Sequence, residues 1–231
     1  MAMNNRTLRP RASGFNPKSL SGFAYWLDAS QSSTITVETG VAEWRDAGGS
    51  SIKATQTTAN AQPAYQTSQK NGKNALYFDG TNDNMSLGDM SASFPSAATA
   101  IFAYQPDNRN EYSLFTTAQN SHFWAYPTAR TYIGTFKGTR LNNVSSPQMP
   151  TNSAAVVAIV SSSSAYRVYI NNTLAHDVAA DFLPGTFHRI ATNDLGTVYK
   201  GWLYEAIFSS SVLSATQLSS AYKYLQTKWA L

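Results

Sequence analysis

The segment Ala154-Ala-Val-Val-Ala-Ile-Val-Ser-Ser-Ser-Ser-Ala-Tyr-Arg-Val-Tyr-Ile-Asn-Asn-Thr-Leu-Ala175 decides the fold. Ala154–Val160 is an unbroken apolar run, short and rich in β-branched residues, and reads as a central strand. Ser161–Ser164 reads as a turn. Tyr166–Ile170 and Thr173–Ala175 then flank Asn171-Asn172. Two consecutive Asn tolerate the positive φ of a tight turn, so the segment predicts a β-hairpin.

Outward from this hairpin the same signature repeats. Ala75-Leu-Tyr-Phe78 runs into the turn dipeptide Asp79-Gly80, and Ala98–Tyr104, His122–Tyr126, Tyr132–Phe136 and Trp202–Phe208 are further strand candidates. One helix is expected near the C-terminus. Ser214 and Gln217 have capping-box spacing, and Leu218, Tyr222, Leu225 and Trp229 fall on one stripe. The expected fold class is therefore all-β: a two-sheet antiparallel jelly-roll sandwich with an extended N-terminal arm and a short C-terminal helix. The 231 residues suit one large β domain over 21–231, preceded by an arm over 1–20 that contains Pro10 and Pro17.

The order Tyr25-Trp-Leu-Asp-Ala-Ser30, Trp44-Arg-Asp46, Gln62-Pro-Ala-Tyr65, Ala75-Leu-Tyr-Phe-Asp-Gly80, Tyr199-Lys-Gly-Trp-Leu-Tyr-Glu205 and Lys228-Trp229 resembles concanavalin A-like lectin/glucanase domains. The nearest variant is the laminin-G-like jelly roll found in phage structural proteins. The resemblance implies sugar or protein binding, often with calcium, and some relatives are glycosidases. The segment Phe15-Asn-Pro17 leading into the Trp-Leu-Asp strand adds the phage association.

Composition limits the chemistry. There is no cysteine, hence no disulfide, zinc-thiolate site or cysteine nucleophile. No run is long and apolar enough to span a membrane, and no secretory signal follows the basic N-terminal residues, so synthesis in a host cytoplasm is expected. Charged residues are only 13% of the chain. The net charge of +4 is confined to Arg6, Arg9, Arg11 and Lys18; those four aside, the 13 remaining basic residues match the 13 acidic ones. A basic arm on a neutral body suggests an assembly anchor, the alternative being a solvated terminus. Four charges and no recognised motif give little support for nucleic-acid binding.

Glycoside hydrolysis needs two carboxyl groups flanking the scissile bond. None of Glu38, Glu43, Glu111 and Glu205 has another acid at i+2 or i+4. Glu205 is the most interesting of them, expected to share a face with Leu203 and Ile207 and to meet a structural partner such as an Arg or backbone amides. His122, His176 and His188 form no local metal motif. Asp79-Gly-Thr-Asn-Asp-Asn84 and Asp89 offer hard oxygens for calcium, or a turn built by Asx hydrogen bonds. Tyr112, Trp124, Tyr126, Arg130 and Tyr132 form a candidate glycan platform. The expected function is a non-catalytic virion structural protein, a capsid decoration or appendage, needing no cofactor. Its partners would be other virion proteins, such as major capsid or appendage subunits, and copies of itself. The alternative is a lectin module adsorbing to a host-surface glycan.

Overall fold

The computed structural model describes residues 14–107, 112–117, 121–125, 133–136, 139–140, 152–179, 187–192 and 198–231. The strands, in chain order, are β1 (Phe23–Asp28), β2 (Ile35–Val37), β3 (Val41–Arg45), β4 (Lys53–Thr55), β5 (Ala64–Lys70), β6 (Lys73–Asp79), β7 (Met85–Ser86) and β8 (Ala97–Pro106). They continue with β9 (Tyr112–Thr117), β10 (Ser121–Ala125), β11 (Ile133–Phe136), β12 (Thr139–Arg140), β13 (Ala155–Ser162), β14 (Tyr166–Ile170), β15 (Thr173–Val178), β16 (Phe187–Ile190) and β17 (Lys200–Ser209). The helix α1 (Ala215–Trp229) comes last.

The strands form two antiparallel sheets, the sandwich expected from the sequence. One has eight strands in the order β15-β14-β13-β8-β17-β6-β5, with β1 also paired to β17. The other has nine, in the order β12-β11-β10-β9-β16-β7-β4-β3-β2. Tyr25, Leu27, Trp44, Phe78, Phe102, Tyr104 and Phe208 fill the space between the sheets. A second apolar layer, with Ile101, Ala103, Val156, Ala158, Ile207, Leu218, Leu225 and Trp229, lies between the eight-stranded sheet and α1. Strand β13 is thus buried on both faces, which explains its unbroken apolar sequence.

Local signals account for the joins. Asn171 and Asn172 have φ of 48° and 64° and close the β14–β15 hairpin. Ser214 and Gln217 complete the capping box, and Leu218, Ala221, Leu225 and Trp229 are the buried stripe of α1. Residues 14–20, read from the sequence as the end of the arm, pack on the sandwich. Leu20 is buried in the layer beneath α1, and the ring of Phe15 lies 5.3 Å from that of Tyr224.

Strand β17 departs from the expected alternation. Its pairing with β8 steps from Leu203↔Tyr104 to Glu205↔Ala103, so Tyr204 is an extra residue in a bulge. Leu203 therefore faces the inter-sheet core, whereas Tyr204 and Glu205 both face the helix. The expectation that Glu205 shares a face with Leu203 is corrected by this bulge; Ile207 does share it.

Candidate functional site

The acid singled out by sequence sits under the last turn of α1. Glu205 is 0% exposed. Trp26 Nε1 donates to its Oε1 at 2.6 Å, and Trp229 Nε1 donates to its Oε2 at 2.7 Å. Lys228 Nζ lies 2.7 Å from the same Oε2 and 2.6 Å from Asp28 Oδ2. Asp28 is satisfied in turn by Ser30 N, Ser30 Oγ and Gln31 Nε2. The Lys228 ammonium also lies between 5.3 and 5.4 Å from the ring centroids of Trp26, Tyr224 and Trp229. The partners of Glu205 are thus two indoles and a lysine, in place of the arginine or backbone amides expected.

Burial, and next the neighbouring Asp28 carboxylate, push the Glu205 carboxyl up to about 7, against the pull of Lys228 and Trp229. Burial foremost, helped by Glu205 and Asp28, raises the Tyr224 phenol far above its usual range. Both carboxylates are enclosed, and their contacts with Trp26, Lys228 and Trp229 tie β1, β17 and α1 together. The arrangement is a clasp between the first strand, a central strand and the final helix.

The remaining acids of the resembling segments shape turns. Asp46 Oδ1 accepts from Trp26 N at 2.7 Å and Gly48 N at 2.8 Å, while its Oδ2 accepts from Ser50 N at 2.8 Å. Asp79 Oδ1 accepts from Thr81 N, and Asp83 Oδ2 accepts from Asp79 N, in the segment considered for calcium. Burial raises the Asp83 carboxyl to about 6, against the Asp79 amide bond to it. Among the described residues no three His, Asp or Glu side chains lie together in a group fit for a metal ion.

The nine-stranded sheet presents a different surface. Thr36 pairs with Glu43, Glu43 with Thr55, Thr55 with Ser86, and Ser86 with Arg189. Register then carries the row on from Arg189 to Thr116, His122, Thr135 and Arg140. The neighbours Trp44, Ala54, Met85 and Ile190 are in the inter-sheet core, so the alternation of a strand puts Glu43, Thr55, Ser86 and Arg189 on the outer face, with Thr36 paired to Glu43 beside them. At roughly 4.8 Å per strand, the row crosses the sheet for about 38 Å. Each of its nine positions holds a polar residue. Beside it Arg45 pairs with Lys53, and both contact Glu43. Lys53 first, then Arg45, hold the Glu43 carboxyl below its ordinary value. Arg45 also donates to Thr36 Oγ1 at 2.8 Å and Ser33 O at 2.7 Å. Such a face offers hydroxyls, guanidinium and ammonium groups for hydrogen bonding.

No family model and no curated protein matches this chain. Solved structures do. Domain 4 of AbnA, a GH43 extracellular arabinanase from Geobacillus stearothermophilus in complex with arabinotriose, aligns with a TM-score of 0.63 at 14% identity, over 88% of this chain and 99% of that one. Trypanosoma rangeli sialidase in complex with 2,3-difluoro-KDN aligns with a TM-score of 0.64 at 10% identity, over 90% of this chain and 33% of the sialidase. The binding domain of Paraclostridial Mosquitocidal Protein 1 aligns at 0.61 and 10% identity, over 90% of this chain and 52% of that one. This chain therefore spans a third of the sialidase and about half of the clostridial chain. The likeness establishes the β-sandwich.

The sequence-predicted residues distribute unevenly. Tyr112 pairs with Ala125, and Trp124 with Ser113, so both lie on β9 and β10, the strands that also carry Thr116 and His122. Tyr126, Arg130 and Tyr132 lie outside the described residues, as do Arg6, Arg9 and Arg11. Lys18 is on the sandwich, its ammonium donating to Gly48 O at 2.9 Å. His176 packs edge-on to Tyr166 on the edge strand β15, and burial lowers its pKa. The polar row escaped sequence reading. Each strand contributes one residue to it, and only the register, which no local signal encodes, brings them into line.

Proposed function

We propose that this chain is a non-catalytic carbohydrate-binding module. A larger assembly such as a virion carries it through the basic N-terminal arm. One observation carries the reading: α1 and residues 14–20 cover the outer face of the eight-stranded sheet, while the nine-stranded sheet turns a row of polar residues outward. Two of the similar structures support it, a domain solved with arabinotriose and a binding domain. The enclosure of Glu205 and Asp28 supports the non-catalytic part, since hydrolysis needs two carboxyl groups open to a substrate.

A glycan array with the full chain tests the reading. Binding to one sugar class is expected, weakened when Arg189 is replaced by Ala, with no release of reducing sugar from the bound polysaccharide. An array without signal, or hydrolysis abolished by Glu205→Gln, would each end the proposal. The virion role rests on the confinement of the charge excess to the arm. A chain lacking residues 1–13 is expected to bind glycan but not to join its assembly; normal incorporation would remove that role.

A further inference from the structure

Resting on the carbohydrate-binding reading, we propose that a neutral sugar binds at one corner of the eight-stranded sheet, against the paired rings of Trp202 and Tyr77, where the cover of α1 runs out. The register places this corner. Trp202 pairs with Tyr77 on one side and with Gln105 on the other. Leu76, Phe78, Tyr104 and Leu203 point into the inter-sheet core, so alternation turns Tyr77, Gln105 and Trp202 to the helix side of the sheet. Trp229 at the end of α1 and Tyr204 beneath it are fully buried, whereas Trp202 and Tyr77, farther along, are only half-buried.

The two rings lie 4.7 Å apart by centroid and are inclined at 51°, which makes an angled platform. Each offers a broad apolar face with a polar rim. Polar groups stand beside them. Gln105 Oε1 accepts from the Tyr204 hydroxyl at 3.1 Å, which leaves the Gln105 amide nitrogen to donate outward. The Tyr77 hydroxyl donates to the Asp107 carboxylate, which keeps further lone pairs for other donors. Among the described residues none accepts from the Trp202 indole nitrogen. Two donors and one acceptor around two apolar rings complement a sugar, which carries C–H bonds on its faces and hydroxyls around its rim.

Charge narrows the class. Asp79, Asp83 and Asp107 all act on the Tyr77 hydroxyl, while the exposed Lys200 stands opposite Asp79 in the register. An acidic surround opposes a uronate or sulfate, since like charges brought together disfavour the wrong partner.

The test follows the indole N–H resonance of Trp202, assigned with Trp202→Phe, while the full chain is titrated with neutral oligosaccharides of glucose, mannose, galactose, xylose or arabinose. A uronate oligosaccharide and a lysine-rich peptide serve as further ligands. At least one neutral series should shift that resonance. Trp202→Ala should weaken its binding at least about tenfold, as loss of a central aromatic contact does. Asp107→Asn keeps the size of the side chain and an acceptor for Tyr77, and should weaken binding severalfold with an unchanged melting temperature. A bound neutral sugar that leaves the Trp202 resonance unmoved, or an affinity unchanged in either variant, would overturn the inference and leave the carbohydrate reading standing. So would tighter binding of the uronate oligosaccharide or of the peptide. No binding by any sugar would overturn both.

Discussion

Beneath α1, two buried acids, Asp28 and Glu205, share one largely buried base, Lys228; on the far sheet, Glu43, Arg45 and Lys53 form a trio of one acid and two bases at the surface. The ingredients are alike and the consequences opposite. A buried ion pair is strongly destabilising to break, because the remaining charge is stranded. A surface pair contributes little, since water and salt screen it. Polar residues under the helix are therefore committed to the fold, whereas the surface trio contributes little to it.

The sharpest way to break this comparison is at the clasp. Trp229 stacks on Tyr204 with ring centroids 5.1 Å apart and donates to Glu205. Trp229→Ala is expected to cost about 3–5 kcal/mol in chemical denaturation. A loss below about 1 kcal/mol would mean that the ring carries little of the fold. Lys228→Met should cost about 3–4 kcal/mol at neutral pH, because two carboxylates are left together without a cation. The loss should shrink in acid as one of them takes up a proton; a deficit independent of pH would dismiss the electrostatic account.

The native protein should carry a weaker form of the same dependence. With the Glu205 carboxyl raised to about 7 in the fold, its contribution is complete below the ordinary carboxylate range and is lost as pH rises through about 7. The stability of the native chain relative to Glu205→Gln should thus fall by up to roughly 3 kcal/mol between pH about 4.5 and 8. A relative stability that climbs over this window would show that the three donors on the carboxylate outweigh its burial.

Smaller effects sharpen the boundary. Removing residues 1–20 should cost about 2 kcal/mol, through loss of the buried Leu20 and the Phe15 ring. Removing residues 1–13 should leave the melting temperature where it was. On the outer face, Lys53→Met should change stability by less than about 0.5 kcal/mol. A larger loss there would make the surface trio a structural element and undo the contrast.

The same division explains what could be read from the sequence. The hairpin, the capped helix and the central strand are local patterns, and Asn171-Asn172, Ser214 with Gln217, and Ala154–Val160 reported them directly. The segments that carry the family resemblance turn out to be parts of the framework. Trp26, Asp28, Glu205, Lys228 and Trp229 meet in the clasp, Asp46 holds the Trp26 amide, Gln62 accepts from Gly40 N, and the Tyr65 hydroxyl donates to Ala29 O. Motifs of this kind announce an architecture and say nothing of a ligand. The bulge at Tyr204 was hidden because a bulge breaks the alternation on which sequence reading depends. The outer row was hidden because β2, β4 and β7 are two or three residues long and show no periodicity of their own.

The contact between Phe15 and Tyr224 has a consequence for how such a unit can be combined with others. Leu231 packs in the same apolar layer as Phe15, and Gln217 Nε2 donates to Ser21 Oγ at 2.8 Å. The path into the sandwich and the path out of it therefore pass through one corner, on the side away from the nine-stranded sheet. Domains with neighbouring entry and exit points tolerate insertion into a loop of another protein. This one is expected to accept insertion into a host scaffold, or threading between two other domains, with the nine-stranded sheet on the side away from the graft.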